Sequence, residues 1–380
     1  MLKKIKILNL CSYFSGVSAV YENLFSEIDE LNHSQIVYVP YRKIKRNKKI
    51  DFSSPESKII WRPILNEFSR YTYLLKIRKI FNDVKKSVNI DNFDIIHAHS
   101  WYTDGGVAYK LYNTYNIPYV VTIRSTDLNT FAKYFYHTRP LARKILQNAS
   151  KIIFVSAVYK KRTFQLPFLR KLANQLESKS IVLPNGIDSY WINHTKNRKI
   201  QASEIIKLIY VGNFLKRKNV LRLIEAVNLL KSKGKDIKLD IVGGGRQYND
   251  ALLEVIEKNP NVNFIGKIMD KSILSKKLQQ NDIFVMPSYN ETFGLVYIEA
   301  LSQGIPVVYS KNEGIDGFHG SNIGEAIDPK KVESIADGIL KTYNSYEDYN
   351  FSPKEIVQQH NWKKIARKLS ELYSSNTKQN

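Results

Sequence analysis

Ser288-Tyr-Asn-Glu-Thr-Phe-Gly-Leu-Val-Tyr-Ile-Glu-Ala-Leu-Ser-Gln-Gly-Ile-Pro-Val-Val-Tyr-Ser310 follows a short apolar run, Ile283-Phe-Val-Met286, bounded by Asp282 and Pro287. Such a run predicts a buried strand. Thr292 stands where a helix cap is wanted, Leu295, Val296, Ile298, Glu299, Ala300 and Leu301 continue a helix, and Gly304 followed by Pro306 stops it. Pro306-Val-Val-Tyr309 predicts the next strand. Strand, helix and strand in this order form one unit of a parallel α/β sheet.

Two carboxylates sit on the unit, Glu291 at the helix entrance and Glu299 inside the helix. Eight residues of helix rise roughly 12 Å, about the reach of a nucleotide sugar from its sugar to its ribose. Between the two acids, a helix start offers unpaired N–H groups at Phe293, Gly294 and Leu295, and the helix dipole adds to their pull on a diphosphate. Gly294 lets the backbone come close. Two glutamates eight apart also occur on ordinary surface helices, so the spacing alone does not decide; the residues around it do.

Pro287, Ser288, Glu291, Phe293, Gly294, Glu299, Ala300, Gly304, Pro306, Val307 and Val308 together form a pattern that resembles the family-4 retaining glycosyltransferases. The resemblance implies the GT-B fold, two doubly wound Rossmann-like α/β domains facing across a cleft. The donor, a nucleotide-diphosphate sugar, would lie mainly on the second domain and the acceptor on the first. It also implies that Glu291 lies by the donor sugar and that Glu299 holds the ribose hydroxyls. No cofactor is implied beyond the donor substrate.

Other phrases extend the likeness. Gly212-Asn-Phe-Leu-Lys-Arg-Lys-Asn219 follows the apolar run Ile206 to Val211. It resembles the family's phosphate clamp, with Lys218 at the clamp lysine, Asn213 where an arginine is usual and Asn219 in place of a glycine. Arg217 or Lys216 is then the candidate to supply the missing charge, and Asn213 can donate hydrogen bonds without charge. Asp94-Ile-Ile-His-Ala-His99 places both histidines on one face of a strand. A backbone-held core histidine is the ordinary reading of His97; the resemblance points His99 toward the transferred sugar. Arg124 stands where many relatives have a histidine, as a cation for a phosphate or a partner for Asp127. Gly16 belongs to a glycine loop near donor and acceptor, and Lys267 and Ile268 to the loop that meets the base. Pro184-Asn-Gly-Ile-Asp188 is another family phrase.

The domain expectation is residues 1–190, a polar linker over 191–204, a second domain over 205–353, and a terminal segment over 354–380 that crosses back, with Trp362 as its packing anchor. The 380 residues suffice for two such domains, and a single cysteine, Cys11, excludes an internal disulfide. No apolar run reaches the length of a membrane span. The basic start Met1 to Lys4 precedes an apolar part too short for a signal peptide, so it reads as the first strand of a cytoplasmic domain.

A net charge of +23 implies an anionic partner: nucleic acid, an acidic membrane face or a phosphorylated substrate. Basic residues concentrate in Arg42 to Lys49, in a helix expected over Tyr71 to Lys86, and in a helix after Ser156 that carries Lys160, Lys161, Arg162, Arg170 and Lys171 beside Phe164 and Phe168. Such mixtures suit an anionic membrane surface. No nucleic-acid recognition motif accompanies the charge. There is no Asp-x-Asp metal signature and no Walker loop, and His-x-His lacks further ligands nearby. The expected activity is retaining, metal-independent transfer to a glycan, glycolipid or lipid-linked oligosaccharide at the inner face of the plasma membrane. A nucleotide-sugar epimerase or a non-catalytic sugar binder of the same fold is the alternative.

Overall fold

A computed structural model describes residues 4–14, 19–42, 49–197, 199, 201–245, 249–320 and 322–378. The chain forms two compact units, residues 1–186 with 362–380, and residues 187–361.

The first unit holds seven strands: β1 (Lys6–Leu10), β2 (Ser34–Pro40), β3 (Lys58–Arg62), β4 (Ile95–Ala98), β5 (Tyr119–Ile123), β6 (Lys151–Phe154) and β7 (Ser180–Val182). They make one sheet in the order β3-β2-β1-β4-β5-β6-β7, with every pairing parallel. Parallel strands are covered on both faces, which is why β5 reads as a nearly continuous apolar run, Tyr119-Val-Val-Thr-Ile123. The strand order reverses between β1 and β4, so the loops leaving these two strands diverge and open the place where such sheets take ligands.

The terminal helix Trp362–Ser374 completes this unit by packing on the helix Ala19–Asp29. Polar contacts fix its register: His33 Nε2 meets Ser370 Oγ at 2.6 Å, and His97 Nδ1 meets the Tyr373 hydroxyl at 2.6 Å. Gly186 lies against the Trp362 indole and has no room for a side chain there.

In the second unit, β8 (Ile206–Asn213), β9 (Ile237–Gly244), β10 (Val262–Gly266), β11 (Ile283–Met286), β12 (Val307–Ser310) and β13 (Gly324–Ile327) form a parallel sheet in the order β10-β9-β8-β11-β12-β13. Its reversal falls between β8 and β11. The strands flanking the opening stretch of sequence are therefore where its pattern puts them.

Several expectations change. Residues 191–204 are not a free linker: Trp191 is buried in the second core, and the Lys196 N–H donates to the Ser302 carbonyl at 2.9 Å. The helix Pro353–Gln359 packs on the helix Leu295–Ser302, so the terminal segment leaves the second unit at 362 rather than 354. The single helix expected after Ser156 is instead Ala157–Phe164, a turn at Arg170–Leu172 and a further short helix Ala173–Ser178. Pro167 lies at the break. Phe164 and Phe168 pack against the first core rather than facing solvent. The helix expected over 71–86 forms as Tyr73–Ser87. Of the basic loop, 43–48 lie outside the described residues.

Candidate active site

The two loops at the strand reversal of the second unit carry the expected phosphate clamp. After β8 the chain passes Asn213 to Leu215, makes a tight turn at Lys216–Lys218, and takes a left-handed conformation at Asn219 with φ 59°. Asparagine tolerates that conformation better than other non-glycine residues. Its side chain then donates to the Pro329 carbonyl at 2.7 Å. The asparagine that replaces the usual glycine thus keeps the turn and anchors it.

The loop after β11 is stitched to this turn by the Tyr289 N–H, which donates to the Arg217 carbonyl at 2.7 Å. Glu291 lies beyond that link. Its Oε2 is 2.5 Å from Lys218 Nζ and 3.4 Å from an Arg217 guanidinium nitrogen. Glu291 and Lys218 are both nearly buried, whereas Arg217 is exposed. Arg217 thus adds a second positive charge beside Glu291.

Thr292 does not cap the helix. Gly294 is the cap residue, at φ 81°, and no side chain caps the helix Leu295–Ser302. Among the described residues the N–H groups of Phe293, Gly294 and Leu295 have no hydrogen-bond acceptor. Gly294 and Gly314 both crowd Glu291: a Cβ on either would lie 3.2 or 3.3 Å from its Cγ. The Gly314 N–H also donates to the Glu291 carbonyl at 3.0 Å. Phe293 is buried on the ring of His360, so its contribution is backbone geometry.

Only the last part of the interval from Glu291 to Glu299 is helical, so eight residues of helical rise do not separate the two acids. Glu299 is half-buried, and its carboxylate has no hydrogen-bond partner among the described residues. Burial pushes its carboxyl up to about 7; Asp188 adds to the rise, and Lys271 opposes it. Asp188 and Lys271 form an ion pair beside it. Asn213 and Lys267 are exposed, and their side chains make no hydrogen bond or ion pair among the described residues. A cavity of about 700 Å³ lies beside the β8 turn, lined in part by Phe214, Arg217, Arg222, Leu252 and Tyr289. Lys218, Glu291 and Glu299 do not line it, so it is not the center of this cluster.

In the first unit, His99 is fully buried in the unliganded chain, beside Arg124 and Asn185. Its ring stacks on His97 with centroids 3.9 Å apart, and Tyr21 and Phe25 stand edge-on to it. Gln35 donates to the Phe25 carbonyl and accepts from Asn9, which turns the Asn9 oxygen to His99 Nε2 at 2.9 Å. Nε2 therefore carries the proton. Burial, helped by His97 and Arg124, holds His99 well below the usual histidine range. The strand pattern gave the facing of the two rings; the aromatic cover came from a separate helix.

Asp127 is not the side-chain partner of Arg124. It accepts the backbone N–H groups of Trp101, Tyr102 and Arg124 at 3.1, 3.1 and 2.8 Å. The Arg124 guanidinium lies over the Tyr21 ring and reaches the His99 carbonyl at 3.4 Å and the Asn185 side-chain oxygen at 3.3 Å. It forms no carboxylate ion pair among the described residues. Gly16 lies outside the described residues.

Two parallel doubly wound units, one with a cationic turn and an uncapped helix start at its strand reversal, define the GT-B glycosyltransferase class. The model for Glycosyltransferase Family 4 matches residues 14–190, and that for Glycosyl transferases group 1 matches 193–354. The chain belongs to the family-4 glycosyltransferases. It is 24% identical over 367 residues to an uncharacterized glycosyltransferase of Methanocaldococcus jannaschii, covering 95% of each chain. It is 26% identical over 318 residues to a putative teichuronic acid biosynthesis glycosyltransferase of Bacillus subtilis, covering 80% of this chain and 77% of that one. In three dimensions it resembles sucrose-phosphate synthase of Thermosynechococcus elongatus, with TM-score 0.74, 20% identity, and coverage of 98% and 99%.

Proposed function

We propose that this glycosyltransferase moves a hexosyl group from a nucleotide-diphosphate sugar to a glycan or lipid-linked glycan during surface-polysaccharide synthesis, retaining the anomeric configuration and requiring no metal. The observation that carries the reading is the meeting of Lys218 and Arg217 on Glu291 beside three N–H groups without acceptors. These groups supply positive charge and donors where a departing diphosphate needs them, and Glu299 offers a free carboxylate for ribose hydroxyls.

As the anomeric carbon–oxygen bond to the phosphate breaks, Lys218, Arg217 and the N–H groups at 293–295 take up the developing charge. One well-placed donor of this kind contributes roughly 3 kcal/mol in the transition state. Glu291 orients the sugar and holds Lys218 in place. The acceptor oxygen bonds to the anomeric carbon on the face the diphosphate leaves, and its proton passes to a phosphate oxygen of the leaving group. Family membership supports this retaining course. His99, held neutral by burial, stays a candidate for contact with the sugar or the incoming hydroxyl. Lys267, Asn213, Gly16 and Arg124 stay as candidates for donor or acceptor contacts.

The excess of basic residues fits work at the cytoplasmic face of an anionic membrane. Among the described residues no helix is long and apolar enough to cross one. A thermal-shift screen of nucleotide sugars tests the donor reading, because a ligand bound by the native state raises its stability. An α- or β-linked product matching the donor anomer, read by proton NMR, tests retention. Failure of every nucleotide sugar to stabilize the chain refutes the assignment; a free epimerized nucleotide sugar as product refutes transfer.

A further inference from the structure

The first unit has a pocket that the donor chemistry does not use. It has a volume of about 550 Å³ and lies beyond the C-terminal ends of β1 and β2, beside Ser12 to Phe14 and Pro40 to Arg42. Aromatic rings dominate its wall, among them Tyr13, Tyr41, Tyr71, Tyr73, Phe131 and Phe135. One lysine lines it, Lys76, whose Nζ donates to Thr103 Oγ1 at 3.1 Å and has no ion-pair partner among the described residues. Burial lowers the pKa of Lys76, with Asp104 pulling it back up. Arg42, also on the wall, is already held by Glu67 at 3.2 Å.

The surface around the mouth is unusual for a soluble protein. Of the eleven large apolar side chains exposed among the described residues, six are Phe68, Tyr71, Leu74, Leu75, Tyr134 and Tyr136, each at least 59% exposed. They come from two segments that meet at the pocket, where the Tyr73 and Phe131 rings lie 6.1 Å apart. Leu74 and Leu75 open the helix Tyr73–Ser87 on its solvent side, and the same exposed face continues into Arg78, Lys79, Lys85 and Lys86.

Over residues 66–87 and 130–144 the sequence has ten Lys and Arg against two Asp and Glu. Both acids are already paired with arginines from outside these segments, Glu67 with Arg42 and Asp83 with Arg62. An exposed apolar patch marks an interaction surface, and one framed by a single sign of charge selects a partner of the opposite sign. Tyrosines and leucines backed by lysines suit the boundary between headgroups and acyl chains.

We propose that this rim docks on an anionic bilayer and that the pocket behind it receives the acidic head of a membrane lipid, which makes the acceptor a lipid-anchored molecule with a negative charge near the accepting sugar. The sugar ring stacks on the aromatic wall, and the acidic group meets Lys76. The proposal rests on the glycosyltransferase reading for the word acceptor; the docking itself does not.

The test uses the full chain. Cosedimentation with vesicles of phosphatidylcholine alone, and of phosphatidylcholine with phosphatidylglycerol at 7:3, reads docking without any nucleotide. Wild type should bind the anionic vesicles at least tenfold more tightly. The exposed double change Leu74→Glu/Leu75→Glu should lose at least tenfold of that affinity with its Tm and its stabilization by nucleotide sugars unchanged. Short-chain dihexanoyl phosphatidylglycerol, used as a monomer in calorimetry, probes the pocket: Lys76→Ala should weaken it at least tenfold and Lys76→Arg should restore it. Equal binding to neutral vesicles, no binding to either, or full binding by the glutamate variant overturns the docking surface. A Lys76→Ala protein that binds the monomer like wild type overturns the pocket. Absence of stabilization by any nucleotide sugar would refute the transferase reading while leaving the vesicle result to stand by itself.

Discussion

Glu299→Gln is the sharpest test of the donor site, because the carboxyl it removes titrates near neutral pH. Burial places that carboxyl at about 7. Ribose hydroxyls donate to the ionized form, so donor affinity should rise with pH. A group of that pKa is about one-tenth ionized at pH 6 and about nine-tenths ionized at pH 8, so wild-type affinity should climb roughly tenfold across that range and then level off. Glutamine keeps the shape without the charge. Hydrogen bonds to a charged group contribute about 1.5–3 kcal/mol, so the variant should bind roughly 10- to 150-fold more weakly at pH 8, with no pH dependence from 6 to 8. Calorimetry with an intact nucleotide sugar reads both effects and avoids the terminal phosphate titration of a free nucleoside diphosphate. The free protein gives an independent check. A carboxyl raised above its unfolded value costs nothing below the unfolded value of 4.5, and stability is lost as pH rises from there through the folded value of about 7, so Glu299→Gln should stabilize the unliganded chain at pH 8, by up to about 3 kcal/mol, and leave pH 4 nearly unchanged. A variant with wild-type affinity, or one that keeps the wild-type pH dependence, would show that Glu299 does not hold the ribose.

Lys218→Ala should lower kcat by roughly 10²- to 10³-fold, the effect of losing one donor to a leaving charge; steady-state kinetics with saturating acceptor checks it. Asp127→Ala leaves three N–H groups without an acceptor, those of Trp101 and Tyr102 buried and that of Arg124 partly so, and should destabilize the first unit by about 3–6 kcal/mol, read by urea unfolding. His97 is held near 3, mainly by burial, so the unfolded chain takes up its proton first and stability from this group is lost as pH falls below about 6.5. That loss reaches roughly 2 kcal/mol at pH 5; Asp104 and Asp127, raised to about 6 by burial, together regain at least as much over the same fall in pH, so only a paired comparison isolates His97. His97→Phe should therefore lose less stability than wild type between pH 7 and 5, by about that amount, in paired urea titrations.

What could be read from the chain divides along a physical line. The strand Ile283–Met286, the helix that follows and the strand Val307–Ser310 are each set by residues close in sequence, and the pattern located them within a residue or two. Even there Thr292 misled, because a left-handed glycine two residues later takes the cap position. The partners of Glu291 belong to the other kind. Lys218 comes from a turn more than seventy residues earlier, and it meets Glu291 because β8 and β11 are neighbors, which the resemblance implied and no local pattern states. His99 divides the same way: its facing follows from strand alternation, but its burial depends on Tyr21 and Phe25 from another element. Arg124 carries the point furthest. Asp127, three residues on, is the partner that sequence proximity offers. The fold commits that carboxylate to three backbone N–H groups, because a chain turning sharply after β4 and β5 exposes donors that burial would otherwise leave unmet. The guanidinium is left with neutral oxygens and one ring face, and so keeps a positive charge that no carboxylate among the described residues neutralizes by an ion pair.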